Sequence, residues 1–466
     1  MSSSTVSDTP IKAGRIGSHP LSAAQQLSYA LPAVPMALPT LAVYIWLPTF
    51  YAEQTQLTLL QAGTALLLAR LLDLLSDLAA GRYCDRPILG LPRRRGWMLL
   101  GLLLASPALL MLFDPPAESG WPRLLLLASL LYVGWTLIQI PWQAWLVDLC
   151  PDSDRRLKLC GWRESAGLLG LLLSAALPVV LLENGATLRQ ALASLALSTL
   201  LMALPCAWLL SRLPEPDTRI GVQSHGWRDL WQLRRNRLWL RLLSAWGLNT
   251  LANGIAAVLF PLAVSIGFGG DDRTRVWLLL LYFGAALIAL PFWSRSRVEL
   301  HRLWGGAMIM AALVFLLVPL LPADHVIGLW GFALVCLLTG VVLGADLALP
   351  PVMQANLVDW DRWRFDKERA LACFAGHSMV MKLSLGAAAA LAPALLWLLS
   401  DGEEPTGAVD PERRFELLVI YAWLPCVLKL SAVALLWRYP LGRQRHRMIL
   451  TRLHRHQEDQ FGRLGR

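Results

Sequence analysis

The chain has 466 residues, of which 56% are apolar and only 16% charged, against about a quarter charged in an ordinary soluble protein. That balance leaves too little polar surface for a soluble globule and too much hydrophobicity for disorder, and the residue usage fits neither a collagen-like chain nor a disulfide scaffold. A net charge of +10 would suggest nucleic acid in a soluble protein. Here the apolar runs suffice for about twelve spans of roughly 20 residues each, so no nucleic-acid partner is expected and the placement of the charge matters more than its sum. An outer-membrane barrel is excluded because the runs are continuous rather than alternating.

In chain order, residues 1–26 form a polar tail with no apolar core, so the first hydrophobic helix is expected to direct insertion itself,. Spans follow near 28–50, 59–83, 96–113, 122–147, 165–182 and 190–211, making an N-terminal six-helix bundle over 27–211,. Residues 212–237 are a linker. Six more spans lie near 238–265, 276–293, 303–321, 326–349, 371–399 and 415–437, a C-terminal bundle over 238–437, and 438–466 is a basic tail. The fold class is therefore an all-α polytopic membrane protein of twelve transmembrane helices in two pseudo-symmetric six-helix bundles.

Placing the tails, the linker and every second loop on one side gathers most of the 42 Lys and Arg there, Arg93, Arg94 and Arg95 among them. The positive-inside rule then puts both termini in the cytoplasm of a cell whose inner membrane the chain crosses. Acids such as Asp271, Asp272, Glu403 and Glu404 occupy external loops, and all seven cysteines fall outside such loops, so no disulfide is expected,. In the linker, Trp227, Leu230, Trp231 and Leu238 approximate one apolar helix face among arginines. A helix on the inner leaflet and a solvated linker both account for them. His446, His454 and His456 in the tail lack Cys or acidic partners at ligand spacing, so no metal site is assigned there.

No Walker A sequence, HExxH or G-x-S-x-G is present,. The chain is thus not expected to be an enzyme or to use ATP directly, and no cofactor is implied. Charged residues inside spans are costly and carry a functional reading by default. Asp73 and Asp77 on span 2 stand four residues apart on one helix face with Ser76 beside them,. Two carboxylates and a hydroxyl suit a hard cation, or they share a proton because both cannot ionise cheaply, so Na⁺ and H⁺ both fit. No other metal is implied. Arg70 is expected to be a charge partner for these acids, though one arginine cannot balance two. Lys382 on span 11 has no partner on its own helix, and Asp73 and Asp77 are its natural partners across a central cavity. Lys429 on span 12 is expected to pair with Asp346 on span 10. Pro32, Pro35 and Pro39 in span 1, Pro141 in span 4, and Pro350 and Pro351 ending span 10 mark interrupted helices of the kind that frame binding sites.

These residues resemble the glycoside-pentoside-hexuronide cation symporter family of the major facilitator superfamily. The resemblance rests on Leu27-Ser28-Tyr29, on Ala69-Arg70-x-x-Asp73-x-x-x-Asp77, on Gly81-x-x-x-Asp85-Arg86 followed by Arg93 to Arg95, and on Ile140-Pro141. Asp154-Arg155-Arg156 with Arg163, Val358-Asp359-Trp360-Asp361 and Val380-Met381-Lys382 extend it from about Leu27 to Arg438. It implies cation-coupled symport of a small organic solute such as a glycoside or uronide by alternating access, with Na⁺ or H⁺ as coupling ion. The expected partners are that solute, the cation and the bilayer, the chain acting as a monomer.

The resemblance assigns the cation to Asp73, Asp77, Ser76 and Thr136. It assigns the solute to Lys382, to an arginine in the loop after span 4 that falls near Arg163, and to positions held here by Gln139, Gln143, Trp135, His377 and Ser378. Two acidic sugar-binding positions are replaced, by Ala37 on span 1 and Gln139 on span 4, and Gln143 stands where the family has a stacking tryptophan. The coupling residues are kept while the family's sugar contacts are not, which makes the cavity less anionic and suits a less hydroxylated or an acidic solute. Transport of a lipid-like amphiphile, or a receptor or assembly factor of the same fold, are therefore the alternatives.

Overall fold

Among the described residues, twelve helices are long and apolar enough to cross a membrane. Only a helix satisfies its own backbone N–H and C=O groups where water is absent, short of a closed barrel. The computed structural model describes residues 21–88, 90–91, 93–150, 152–214, 231–322, 325–367, 369–399 and 411–464. Among them the only extended feature is an isolated bridge between Ile88 and Leu91.

Span 2 is the helix Leu59–Tyr83, opened by a capping box in which Thr58 and Gln61 each accept from the other's backbone N–H,. Its two faces invert the pattern of a soluble helix. Leu60, Leu67, Leu71 and Leu75 point outward, while Ala62, Ala65, Ala69, Asp73, Asp77 and Ala80 are buried. Between apolar helices in lipid, close approach through small residues drives packing. Gly81 marks the tightest such approach: a Cβ there would lie 2.6 Å from that of Ala375 on span 11. Span 2 thus meets the other bundle where a larger residue would not fit.

Span 1 is broken into Ala23–Ala30, Ala33–Ala37, a π-helical turn Ala42–Trp46 and Leu47–Gln54. Pro32, Pro35 and Pro39 lack the N–H groups that an unbroken helix would use. Spans 3 to 6 are Arg93–Phe113, Trp121–Leu149, Ser153–Glu183 and Leu188–Ser211. Span 7 is Arg237–Leu262 with a π-helical turn Ala263–Gly267, and spans 8 and 9 are Asp272–Arg295 and Leu300–Leu316. Spans 10 to 12 are His325–Phe365, Ala370–Leu399 and Pro411–Leu436. All seven cysteines are buried and unbridged.

Three elements depart from expectation. Span 5 starts at Ser153 rather than near 165, because its first turns are polar and carry no hydropathy signal. Span 10 does not stop at Pro350 and Pro351 but continues as one helix of 41 residues to Phe365. At 1.5 Å per residue it is about 60 Å long, well beyond the roughly 30 Å apolar core. Membrane helices tolerate proline where neighbouring helices surround the freed carbonyls, and Leu349, Pro350, Pro351 and Val352 are all buried,. Third, the basic tail is not simply solvated. It forms the helix Arg443–Leu464, with His446 only 1% exposed. The His454 and His456 side chains lie outside the described residues, as do Trp227 and Leu230 of the linker and Glu403 and Glu404. Trp231 is exposed with the Arg234 guanidinium 3.5 Å above its ring.

At one face the two bundles are tied together by the start of span 5, the end of span 10 and the C-terminal helix. Arg156 of span 5 is fully buried, donates Nη1 to Asp359 Oδ2 at 2.6 Å and to Asn356 Oδ1 at 3.0 Å, and fixes the end of span 4 through the Cys150 and Val147 carbonyls. Asn356 in turn donates to Ser153 Oγ at 2.8 Å. The C-terminal helix crosses the seam. His446 lies 2.9 Å from both Ser153 Oγ and Asp359 Oδ2, and Arg443 bonds Asp154 of the first bundle and the Ser296 carbonyl of the second.

Candidate functional site

The acids of span 2 meet two other helices at one point. Lys382 Nζ, from span 11, lies 2.6 Å from Asp73 Oδ2, 2.8 Å from Asp77 Oδ1 and 3.1 Å from Thr136 Oγ1. Thr136 of span 4 stands 2.8 Å from Asp73 Oδ1 and 3.0 Å from Asp77 Oδ1, so its single proton serves one carboxylate at a time. Ser76 Oγ donates to the Asp73 carbonyl at 2.7 Å and lies 3.2 Å from Asp73 Oδ1, which steadies that carboxylate from its own helix.

Formal charge decides what this cluster lacks. Two carboxylates and one ammonium sum to one negative charge. Asp77 is 0% exposed and its Oδ2 is buried without a hydrogen-bond partner. A buried carboxylate oxygen left unsatisfied costs about 1–3 kcal/mol or more. One proton or one monovalent cation would remove the excess charge, and a cation ligated by Asp77 Oδ2 would also satisfy that oxygen.

Arg70 does not take the part expected of it. Its guanidinium lies 4.1 Å from the centre of the Tyr44 ring and 5.9 Å from that of Tyr132, a cation–π arrangement,. Lys382 is the group that meets the acids. The physical reason is reach: one turn toward the helix start, Arg70 sits on the exposed side of span 2, whereas Lys382 approaches from the facing helix.

Beside the cluster a cavity of about 320 Å³ is bounded by spans 1, 2, 4, 5 and 11. Asp73, Thr136 and Lys382 form one end of its wall, and Trp135, Gln139, Gln143, Trp142 and Arg163 line the rest. Tyr132 stacks on Trp135 with ring centres 6.3 Å apart. Arg163 is not in a loop. Because span 5 starts early, it lies nearly three turns inside the helix, buried, with Nη2 2.6 Å from Glu164 Oε1 and Nη1 3.3 Å from the Tyr29 hydroxyl. Its charge is therefore met by its neighbour.

His377 and Ser378 are not among the residues that bound this cavity. His377 is buried and stacked on Trp246 of span 7 at 3.4 Å between ring centres, so it packs within the second bundle. Residues that sequence reasoning left out include Tyr44, Tyr132 and Glu164, all on the cavity wall. Glu164 carried a readable signal, an acid directly beside an arginine; the tyrosines carried none.

The other intramembrane pair forms as expected, with Lys429 Nζ 3.5 Å from Asp346 Oδ2. Asn249 and Asn253 hold the ammonium at 2.7 Å each, and Trp304 Nε1 donates to Asp346 Oδ1 at 2.7 Å. All five residues belong to the second bundle, so this pair does not bridge the seam that Lys382 crosses.

Comparison with known proteins agrees with this architecture. The family described as MFS/sugar transport protein matches residues 28–443. The inner membrane symporter YicJ of Escherichia coli (strain K12) is 24% identical over 415 residues, covering 85% of this chain and 87% of YicJ. Among solved structures, a bacterial homologue of the iron transporter ferroportin in an outward-facing state superposes with a TM-score of 0.68 at 14% identity, over 89% of this chain and 99% of the other. The proton:xylose symporter XylE bound to 6-bromo-6-deoxy-D-glucose gives 0.61 at 12%, over 90% and 95%. The transporter FucP in its outward conformation gives 0.59 at 15%, over 88% and 98%. At these identities the structures speak for the fold alone.

Proposed function

Since the chain belongs to the MFS/sugar transport protein family and is a multi-pass membrane transporter rather than an enzyme, we propose that it couples uptake of one Na⁺ or H⁺ to symport of a small hydroxylated solute across the inner membrane, with both termini cytoplasmic. The observation that carries this reading is the reach of Lys382 across the seam into the oxygens of Asp73, Asp77 and Thr136. The ammonium acts as a tethered cation. A Na⁺ or proton arriving at Asp73 and Asp77 weakens the hold of those carboxylates on Lys382, and with it one tie between the bundles. Occupancy of the site is thereby linked to their relative position.

The solute would sit in the adjoining cavity. With Lys382 engaged by carboxylates and Arg163 by Glu164, the groups left to meet a solute include the amides of Gln139 and Gln143, the hydroxyls of Tyr44 and Tyr132, and the Trp135 ring. Amides bond hydroxyls, and indole faces pack on the apolar faces of a sugar ring, which supports a glycoside over a strongly anionic solute. The closed seam around Arg156 and Asp359 supports an alternating cycle in which that face must open to release solute. The test is a thermal-shift screen of glycosides and uronides on the purified protein, with Na⁺ present and absent and at two pH values. A glycoside whose stabilisation grows with Na⁺ or with acid is the expected result; solute binding indifferent to both would overturn the coupling.

A further inference from the structure

The proline-broken span 1 separates two cavities. One face, Ala33, Ala37 and Thr40, bounds the solute cavity, while Pro32, Pro35 and Pro39 bound a second space of about 410 Å³ enclosed by spans 1, 3, 4 and 6. Met36 and Trp135 line both. This second space extends along span 3 from Arg95 to Leu109, about 21 Å at 1.5 Å per residue. It is a slot that runs from the Arg95 end of span 3 across most of the length of that helix.

The slot's lining suits hydrocarbon. Leu99, Leu102, Leu131, Leu200 and Ala203 supply apolar walls. The hydroxyls of Thr199 and Ser211 turn back on their own helix, donating to the Leu195 and Trp208 carbonyls at 2.8 and 2.7 Å. They therefore do not call for a polar ligand. Among the described lining residues the one charged group is Arg95, near the start of span 3, where its guanidinium lies 6.0 Å from the centre of the Trp145 ring and donates to the Leu213 carbonyl. A long apolar channel closed by a cation at the height of the headgroups is complementary to a single-chain segment with an anionic head. The basic residues place that end at the cytoplasmic leaflet, where anionic lipids concentrate.

We propose that this slot holds one acyl chain of an anionic glycerophospholipid, its phosphate against Arg95, and that the chain supports the Met36 and Trp135 wall of the solute cavity. The lipid site stands independently of what is transported.

The test uses the full chain in phosphatidylcholine nanodiscs doped with a phosphatidylglycerol that carries a photoreactive diazirine in its acyl chain, with labelled residues located by mass spectrometry. Leu103, Leu201 and Leu204 face outward and record general contact with lipid, which also reports that each variant is inserted. The expected result is additional labelling at Leu102, Leu200 and Ala203, removed by excess unlabelled phosphatidylglycerol. That labelling should fall roughly fivefold when the probe is a phosphatidylcholine or when the protein carries Arg95→Gln, the weight of one basic contact with an anionic headgroup. Labelling confined to Leu103, Leu201 and Leu204, or slot labelling unchanged by headgroup and by Arg95→Gln, would overturn the proposal.

Discussion

Lys382 Nζ stands 2.8 Å from Asp77 Oδ1 although the two residues belong to different six-helix bundles. A charge pair across a seam that must move has a consequence that a pair within one bundle lacks. When the bundles separate there, the lysine and the acids each lose a partner, and each needs a substitute. Under the proposed coupling, that substitute for the acids is the cation. The pair Lys429 and Asp346, held within one bundle by Asn249, Asn253 and Trp304, moves as a unit and is assigned to stability.

Replacing Asp77 with Asn removes the negative charge in excess of Lys382. Cation affinity should fall at least about tenfold, equivalent to about 1.4 kcal/mol, while the protein remains inserted. Asp73→Asn should act in the same direction, because Lys382 then neutralises the single acid left. Isothermal titration with Na⁺, together with the pH dependence of solute binding, measures both variants, and a cation response equal to wild type in each would remove the site from Asp73 and Asp77.

Arg156→Gln should loosen the closed face. Breaking a buried ion pair costs about 3–5 kcal/mol, charged here to the arrangement in which Arg156 meets Asp359. Gly81→Val should act on the same seam sterically, since even a Cβ at Gly81 comes within 2.6 Å of Ala375 Cβ and overpacking costs about 1–3 kcal/mol. Spin labels placed on either side of the seam should show longer distances in both variants; unchanged distances in both would separate this network from gating.

The C-terminal helix is expected to act as a clasp on that face. His446→Phe removes two contacts, one to Ser153 of the first bundle and one to Asp359 of the second, at about 1 kcal/mol each for ordinary hydrogen bonds. The variant should raise the protease sensitivity of residues 443–464 without altering Na⁺ affinity measured in the closed form. A helix as resistant as wild type would show that His446 is not what holds it.

Selectivity should follow the cavity lining. Gln139→Asp and Trp135→Ala should change the order of preference among glycosides in competition binding, because both residues bound the cavity. His377→Gln should lower thermal stability through the lost stack on Trp246, yet keep the order of preference. If His377→Gln reorders the solutes and Gln139→Asp does not, the cavity has been assigned to the wrong helix faces.

Orientation is testable directly. A reporter fused after Arg438 should be cytoplasmic, as the one-sided distribution of Lys and Arg requires. An external reporter at that position would put the Arg95 end of the slot at the outer leaflet and remove the ground for an anionic lipid there.

What the sequence determined by itself is set by local physics. Hydropathy located twelve spans because a buried backbone must be helical across the apolar core, and span 2 matched to the residue,. Intramembrane charge identified Asp73, Asp77, Lys382, Asp346 and Lys429, since such residues are too costly to be present without a partner. The pairing of Lys382 with both acids followed from charge balance. Direction, by contrast, is set by tertiary packing. Whether a side chain on a given span faces the cavity, the lipid or its own bundle depends on how each helix is rotated against its neighbours. The mixed apolar and polar faces of spans 2 and 11 do not reveal that rotation. For that reason Arg70 turned to Tyr44 instead of the acids and His377 to Trp246 instead of the cavity, while Arg163 moved from an expected loop to the cavity wall because the polar first turns of span 5 hid its start. The same holds for the tail, whose basic composition gave no sign that His446 would be buried, because burial there required Ser153 and Asp359, distant in sequence, to come together first.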